Sequence, residues 1–336
     1  MTATFPLQGD CLEILRSLDS DSVDAIVTDP PYELGFMGKG WDASGIAYSV
    51  PMWSECLRVL RPGGYLLSFG GTRTYHRMAC AVQDAGFEIR DSITWLYGSG
   101  FPKGKAQLKP ASEPIVVARK PAPGPWLNID GCRVMSADTL VRPSILRTDN
   151  DVLGKGLGAG TQVEPGGRWP SNVVLTHAPD CVDGGACVAG CPVAELDQQS
   201  GTLKSGSRQA GEHGLMGADV APMPAIVGDS GGASRFFPVF RYQAKAPSRE
   251  RPEVDGVKHP TVKPLALMQW LVRLVTPLEV DGRPGIVLDP FAGSGTTLEA
   301  ARAEGFDSIG IERDPAYYQL ILKRLGFLDE PVEVAS

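Results

Sequence analysis

Residues 23–32 read VDAIVTDPPY, an apolar run that enters a rigid polar tetrapeptide directly. The six residues from Val23 to Thr28 have the length and composition of a compact, buried β-strand. In open α/β sheets, ligands bind just beyond the carboxyl ends of the strands. We therefore expect a site at the end of this strand. The candidate catalytic residues are Asp29, Pro30, Pro31 and Tyr32.

These four residues suit a reaction at the exocyclic amino group of a nucleobase. Such a nitrogen is a poor nucleophile because its lone pair is delocalised into the ring. The Asp29 carboxylate and the Pro30 carbonyl can accept both N–H hydrogens and so favour a tetrahedral nitrogen. Pro31 biases Pro30 toward an extended conformation, and Tyr32 offers a flat face for a base taken out of the duplex. Alone, the tetrapeptide would be more typical of a rigid turn after a strand, but the chain carries a second motif.

A second strand enters a glycine-rich turn at residues 285–297, which read GIVLDPFAGSGTT. Small residues here let a ligand approach the backbone, and the N-terminus of the following helix can receive a carboxylate. Glu312 follows one helix and one strand later, where an acidic residue can hold ribose hydroxyls. The turn lacks the lysine of a phosphate-binding loop and the third glycine of a dinucleotide fingerprint. Nucleoside triphosphates and NAD are therefore disfavoured.

In combination, the two motifs resemble those of the amino-type DNA methyltransferases. Residues 29–32 match the catalytic motif of that family and residues 289–296 match its cofactor motif, in the order found in the β group. The resemblance covers about residues 5–120 and 256–325. It implies a site-specific enzyme that methylates a flipped-out base of double-stranded DNA with S-adenosylmethionine as the methyl donor.

The resemblance also assigns cofactor contacts outside the glycine-rich turn. It places Asp10 against the adenine of the cofactor and the segment 259–264, which reads HPTVKP, against its methionine end. A valine at Gly295 is expected to block binding by filling this pocket. The expected cofactor-binding residues are Asp10, Thr261, Lys263, Asp289, Pro290, Phe291, Ala292, Gly293, Ser294, Gly295, Thr296 and Glu312.

The fold implied is α/β, a Rossmann-like S-adenosylmethionine-dependent methyltransferase fold with a circularly permuted, mostly parallel, seven-stranded sheet. Its last strand is antiparallel and is expected within residues 87–118. The late strands ending at Asp289 and Glu312 should lie beside the early ones ending at Asp10 and Asp29. Three parts are predicted: a catalytic half (1–120), an inserted target-recognition region (121–245) and a cofactor-binding half (246–336). A turn is expected at 61–64 and a loop at 154–167.

The target base follows from the first residue of the tetrapeptide. Asp29, where a serine could stand, favours adenine N6, while cytosine N4 remains the alternative because Asp-Pro-Pro-Tyr serves both bases. A binding module that kept the fold without the activity and a dinucleotide oxidoreductase are further alternatives. Intact Asp29 and Tyr32 argue against the first, and the missing third glycine argues against the second.

Composition adds only weak constraints on function. The chain has 336 residues, 43% of them hydrophobic and 21% charged, as expected of a globular protein. Without a signal sequence or an apolar span of about 20 residues, a cytoplasmic location and no membrane partner are expected. The net charge of -7 does not favour DNA binding, although basic residues outnumber acidic residues in 97–120 and in 231–263. Each patch equally fits a solvated mixed-charge face. A homodimer is compatible with the sequence.

Four candidate metal ligands lie in one short, glycine-rich segment of the inserted region. They are His177, Cys181, Cys187 and Cys191. Three thiolates and one imidazole can complete the tetrahedral shell of a structural zinc ion, and nearby glycines permit the tight turns required. The spacing departs from paired C-x-x-C motifs, and buried or incidental cysteines are the commoner explanation of such a group.

Overall fold

The computed structural model describes most of the chain. The described residues are 2–35, 40–98, 100, 105, 108–122, 127–134, 167–178, 180–181, 186–204, 228–240 and 251–328. The strands are β1 (Thr4–Gln8), β2 (Val23–Thr28), β3 (Leu60–Phe69), β4 (Glu88–Leu96), β5 (Ser112–Arg119), β6 (Val173–Thr176), β7 (Leu203–Lys204), β8 (Ser230–Gly231), β9 (Val239–Phe240), β10 (Glu253–Val254), β11 (Val257–Lys258), β12 (Ile286–Asp289) and β13 (Asp307–Glu312). The helices are α1 (Cys11–Ser17), α2 (Val50–Val59), α3 (Tyr75–Asp84), α4 (Pro192–Ser200), α5 (Leu265–Val275), α6 (Thr296–Ala303) and α7 (Pro315–Leu325).

A mainly parallel sheet with strand order β1-β13-β12-β2-β3-β5-β4-β6-β9 forms the centre of the described structure. The late strands β12 and β13 lie between β1 and β2, with Val287 paired to Ala25 and Leu288 to Ile26. Strand β5 runs antiparallel to both of its neighbours. The predicted α/β class, the permuted strand order and the antiparallel strand within residues 87–118 are therefore confirmed.

The predicted count of seven strands is wrong, because this sheet has nine. The expected set of seven consists of the neighbouring strands β1, β13, β12, β2, β3, β5 and β4. Strands β6 and β9, from the inserted region, extend the sheet beyond β4. Strand β6 pairs in parallel with β4, from Thr94 opposite Val173 to Leu96 opposite Leu175. An edge strand exposes unpaired backbone groups, and β6 satisfies those of β4. Strands of four and two residues are too short to show periodicity in a sequence. The division into three parts stays a prediction.

The turn expected at residues 61–64 is also wrong, because this segment belongs to β3. Leu60 pairs with Val23 and Tyr65 pairs with Ala25, so four residues of β3 lie opposite one residue of β2. The segment is thus a wide irregularity within the strand, and Gly63 supplies its left-handed conformation at φ 78°. The loop expected at 154–167 lies, apart from Gly167, outside the described residues.

Helices cover both faces of the sheet, and β2 shows the result most clearly. All six of its residues are buried. Val27 faces one apolar cluster with Leu271 of α5, whereas Ile26 faces the other with Trp53 of α2. A parallel strand covered on both faces reads as a continuous apolar run, which is the pattern that locates β2 in the sequence.

The two basic patches contain many ion pairs. In the described part of the chain, Arg119 contacts Glu88, Lys120 contacts Asp21, Arg235 contacts Asp229, Lys258 contacts Glu253 and Lys263 contacts Asp29. The pairs of Arg119, Lys120 and Lys258 favour the alternative of a solvated mixed-charge face, whereas Arg235 and Lys263 are themselves largely buried. No helix in the described ranges is both long enough and apolar enough to cross a lipid bilayer.

Candidate active site

Four neighbouring strands end in a carboxylate at one edge of the sheet. Asp10 follows β1, Glu312 ends β13, Asp289 ends β12 and Asp29 follows β2. The Gly9 backbone N–H donates to the Glu312 carbonyl at 3.0 Å, which ties the first two strand ends together. Parallel strands place their carboxyl ends at the same edge, so residues from both ends of the chain meet here.

Asp289 is buried and holds the glycine-rich turn against the neighbouring strand. Its Oδ1 accepts hydrogen bonds from Thr28 Oγ1 at 2.6 Å and from the Phe291 N–H at 3.0 Å. Its Oδ2 accepts from Thr297 Oγ1 at 2.5 Å. Burial raises the Asp289 pKa to about 6 against the opposing effect of these hydrogen bonds. Asp289 therefore joins β2, the turn and α6, and its contact with a cofactor stays a prediction.

Glu312 borders the same turn with a largely buried carboxylate. Its Oε2 accepts from the Gly293 N–H at 2.8 Å and its Oε1 from the Asp314 N–H at 2.7 Å. Burial raises the Glu312 pKa to about 7, although both hydrogen bonds lower it. A carboxyl with this pKa changes its protonation near neutral pH, so the affinity for any ligand that contacts Glu312 would depend on pH.

The two glycines of the turn face different surroundings. Both adopt left-handed conformations, with φ 55° at Gly293 and φ 80° at Gly295. A Cβ atom at Gly293 would lie 3.2 Å from His259 Nε2, whereas one at Gly295 would lie 3.1 Å from Ile321 Cγ2 of α7. The expectation that a valine at position 295 fills the cofactor pocket is therefore corrected. A side chain at this position would instead press on α7. Gly293 is the position that faces the segment 259–264.

The other residues of the turn are mainly buried. Pro290, Ala292, Ser294 and Thr296 are buried, and Phe291 packs partly buried against the apolar cluster of α1 and α2. Gly295 precedes the first residue of α6, Thr296. Their contact with a cofactor stays a prediction.

Asp29 and Tyr32 belong to a network of charged and aromatic groups. Lys263 Nζ donates to Asp29 Oδ2 at 2.6 Å and lies 3.4 Å from Glu113 Oε2. The Tyr32 hydroxyl donates to Glu113 Oε2 at 2.8 Å. Lys263 Nζ also lies 5.2 Å from the centroid of the Tyr32 ring and 4.8 Å from that of Phe69. The structure thus joins Lys263, predicted for the cofactor, to the predicted catalytic residues.

The second carboxylate oxygen of Asp29 is in a different state. Asp29 Oδ1 is buried, and no hydrogen-bond donor reaches it from the described residues. A buried acceptor without a donor is costly, so such atoms deserve a functional explanation. Lys263 therefore fixes one carboxylate oxygen of Asp29, and the other has no donor among the described residues.

Protonation states in this network follow from its charges. Burial lowers the Lys263 pKa, but the charges of Asp29 and Glu113 outweigh burial and leave this pKa above its ordinary value. Burial, together with the same two carboxylates, raises the Tyr32 pKa. Lys263 is therefore an ammonium and Tyr32 a neutral phenol at neutral pH.

The remaining predicted cofactor residues lie around this edge. The Asp10 carboxylate caps α1, accepting from the Leu12 N–H at 3.0 Å and the Glu13 N–H at 3.3 Å. His259 Nδ1 lies 2.7 Å from the Thr261 carbonyl oxygen. Burial lowers the His259 pKa. The ligand contacts of Asp10 and Thr261 stay predictions.

Sequence reasoning missed several residues of the site. Thr28 and Thr297 hold Asp289, Thr74 Oγ1 donates to the Tyr32 carbonyl at 2.8 Å, and Glu113 accepts from Tyr32. A signal existed for Glu113, because it is the one acidic residue in the basic stretch 97–120. Thr28 and Thr74 gave no such signal, since their partners lie 261 and 42 positions away in the chain. Thr297 lies only eight positions from Asp289, within the glycine-rich motif itself.

The predicted metal ligands come together at the end of β6. One ligand atom from each of His177, Cys181, Cys187 and Cys191 lies within 4.8 Å of the others. Burial and the neighbouring thiols raise the Cys187 pKa to about 11. Burial also raises the Cys191 pKa, but hydrogen bonds from two backbone N–H groups and from His177 outweigh it and bring this pKa to about 6.

Comparisons with known proteins agree with the predicted family. A sequence model described as DNA methylase matches residues 23–323. Type II methyltransferase M.HindIII of Haemophilus influenzae is 25% identical over 95% of this chain and 94% of its own length. DNA adenine methyltransferase YhdJ of Escherichia coli is 25% identical over 95% of this chain and 81% of its own length.

A solved structure shares the fold. The cytosine-N4-specific PvuII DNA methyltransferase superposes with a TM-score of 0.54 and 16% identity, over 100% of this chain and 89% of that protein. At this level of identity, the likeness concerns the fold alone.

Proposed function

Because this chain belongs to the DNA methylase family, we propose that it transfers a methyl group from S-adenosylmethionine to adenine N6 at a specific site in double-stranded DNA. The observation that carries the proposal is the buried Asp29 Oδ1, which accepts no hydrogen bond from the described residues. An exocyclic amino group supplies the missing donor. Cytosine N4 is the second candidate, because the same tetrapeptide can bind its amino group.

The proposed mechanism divides the work among four groups. Asp29 Oδ1 accepts one amino N–H and the Pro30 carbonyl accepts the other, which directs the nitrogen lone pair away from the ring. Tyr32 stacks on the flipped base, and Lys263 holds Asp29 Oδ2 in place. When bound, the cofactor supplies a methyl group on a positively charged sulfur. The nitrogen gains the methyl and loses one proton, for which Asp29 is the adjacent base.

The cofactor half of the site is proposed around the turn 289–296. Glu312 would accept the ribose hydroxyls, while the N-terminus of α6 would face the methionine carboxylate. Asp289 holds this turn through Thr28 and Thr297 and so supports the pocket from behind. Lys263 connects this half to Asp29, since segment 259–264 is proposed to hold the methionine end of the cofactor.

The three predicted parts of the chain receive corresponding roles. Residues 1–120 would hold the base, residues 246–336 would hold the cofactor, and residues 121–245 would recognise the DNA sequence. The Lys263–Asp29 ion pair, which joins the outer two parts, supports their assignment to one methyltransferase unit. A homodimer stays a prediction.

We expect DNA from cells that express this chain to contain N6-methyladenine. The expectation follows from aspartate, rather than serine, at position 29. Mass spectrometry of nucleosides from a host without its own DNA methyltransferases measures the product, and base-resolution mapping gives the site. DNA from cells expressing Asp29→Ala is the control. N4-methylcytosine as the sole product would establish the second candidate instead.

We expect the affinity for S-adenosylmethionine to fall as the pH is lowered. Burial raises the Glu312 pKa to about 7, and a protonated carboxyl accepts hydrogen bonds from ribose hydroxyls more weakly than a carboxylate does. Binding would then favour the ionised form, so Kd should rise about tenfold between about pH 8 and about pH 6. Calorimetric titration measures this change. The Glu312→Gln variant should bind S-adenosylmethionine weakly, and its Kd should depend little on pH. If Kd of this variant changed with pH as much as that of the wild type, the titrating group would be another residue.

A further inference from the structure

We propose that His177, Cys181, Cys187 and Cys191 bind a structural zinc ion that attaches the inserted region to the edge of the central sheet. The proposal is independent of methyl transfer, since Asp29 and its partners require no metal. It concerns a different set of side chains at a different strand end.

The chemistry of these side chains selects the metal. Three sulfur atoms and one imidazole nitrogen form a soft donor set of the kind that binds zinc, whereas magnesium and calcium require oxygen ligands. Cys181, Cys187 and Cys191 are free thiols. The set supplies four protein ligands, which is the number in a closed structural site.

The distances also fit a tetrahedral site. Zinc–ligand bonds of ordinary length place sulfur and nitrogen about 3.6 Å apart and two sulfurs about 3.8 Å apart. His177 Nδ1 lies 3.3 Å from Cys187 Sγ and 3.5 Å from Cys191 Sγ. All four ligand atoms lie within 4.8 Å of one another. Small side-chain movements would therefore be enough to close the shell around an ion.

Regular structure holds two of the four ligands. His177 directly follows β6, and its backbone N–H donates to the Phe240 carbonyl of β9 at 3.0 Å. Cys191 is completely buried at the N-terminus of α4, and its Sγ accepts from the Ala178 N–H at 3.4 Å. Gly190 makes the turn before Cys191 in a left-handed conformation, φ 76°. Gly184 and Gly185 lie outside the described residues.

The surrounding apolar cluster is small, which gives a bound ion a structural role. Its buried members are Leu175, Ala178, Cys191 and Val193. A small core stabilises a region weakly, and a metal ion contributes binding energy directly to folding. Zinc would link the end of β6 to the start of α4. Strand β6 lies four strands from β2 in the sheet, so the ion would lie about 19 Å from Asp29, measured across the strands. Both would lie at the carboxyl ends of their strands.

The test is the metal content of the full chain, purified without a histidine tag under reducing conditions. We expect elemental analysis to find about one zinc ion per chain. Cys187→Ser should retain less than about a tenth of this zinc, because it removes one of four ligands. Cys80→Ser is the matched control, since Cys80 is an exposed thiol on α3, outside the cluster. It should retain all of the zinc.

A spectroscopic measurement on the wild-type chain tests the proposal even if Cys187→Ser folds poorly. Co²⁺ added to the metal-free wild type should give the absorption of a tetrahedral thiolate site, and Zn²⁺ should abolish it. Chelation should lower Tm and increase hydrogen exchange in β6 and α4. A wild-type chain that holds less than about a tenth of a zinc ion after incubation with Zn²⁺ overturns the proposal. Equal zinc in Cys187→Ser and Cys80→Ser does so as well.

Discussion

We expect Asp29→Ala to reduce methyl transfer by at least about a hundredfold to a thousandfold, a loss of about 3–4 kcal/mol of transition-state stabilisation. The buried Asp29 Oδ1 is the atom proposed to accept the amino hydrogen, and alanine removes it. The donor of the methyl group is proposed to bind at the turn 289–296, at Glu312 and at segment 259–264 instead. Its affinity should therefore change little.

A companion variant separates chemistry from folding. Alanine at position 29 leaves the buried Lys263 ammonium with Glu113 as its nearest carboxylate, at 3.4 Å, and so lowers stability. Asp29→Asn keeps the shape and one oxygen acceptor but removes the negative charge. It should be more stable than Asp29→Ala and nearly as inactive, because a neutral amide cannot take up the proton.

Labelled methyl transfer, calorimetric cofactor binding and thermal unfolding should be measured on the same preparations. Asp84→Asn is the matched control, since Asp84 is exposed at the last residue of α3. The ten residues of α3 carry it about 15 Å from the edge where β3 ends. This control should turn over at the wild-type rate. Near-normal turnover in either Asp29 variant would contradict the proposed mechanism.

We also expect Gly293→Val to weaken the binding of S-adenosylmethionine on the order of a hundredfold, which corresponds to about 2.8 kcal/mol. Its Cβ would lie 3.2 Å from His259 Nε2, so the larger side chain must displace segment 259–264 from the turn. It would also strain a backbone at φ 55° and move the N–H that donates to Glu312. Calorimetric titration measures the affinity.

Two other glycines separate these causes. Gly305 has φ 85° with open space around its Cβ position, so Gly305→Val carries backbone strain of about 1–2 kcal/mol without obstruction. It should lose stability and keep its affinity. Gly295→Val should lose more stability because it presses on Ile321 of α7. If Gly293→Val bound the cofactor as tightly as Gly305→Val, the proposed pocket would be wrong.

Local patterns predicted the elements that carry the two motifs. The apolar run of β2 and the glycine-rich turn after β12 are visible because burial and left-handed backbone each demand particular residue types. The wide irregularity in β3 escaped prediction, since its glycines are equally typical of a turn. Strands β6 and β9 also escaped it, because their pairing depends on the free edge of β4 rather than on their own residues.

The sequence by itself determined the family, the α/β class and the two motifs, because each of these depends on neighbouring residues. Only the tertiary structure decided which side chains meet. Lys263 and Asp29 lie 234 positions apart in the chain, and Thr28 and Asp289 lie 261 apart. Glu113 reaches Tyr32 because β5 runs antiparallel beside β3. Such contacts arise from strand order and from packing on both faces of the sheet, which no local pattern of residues records.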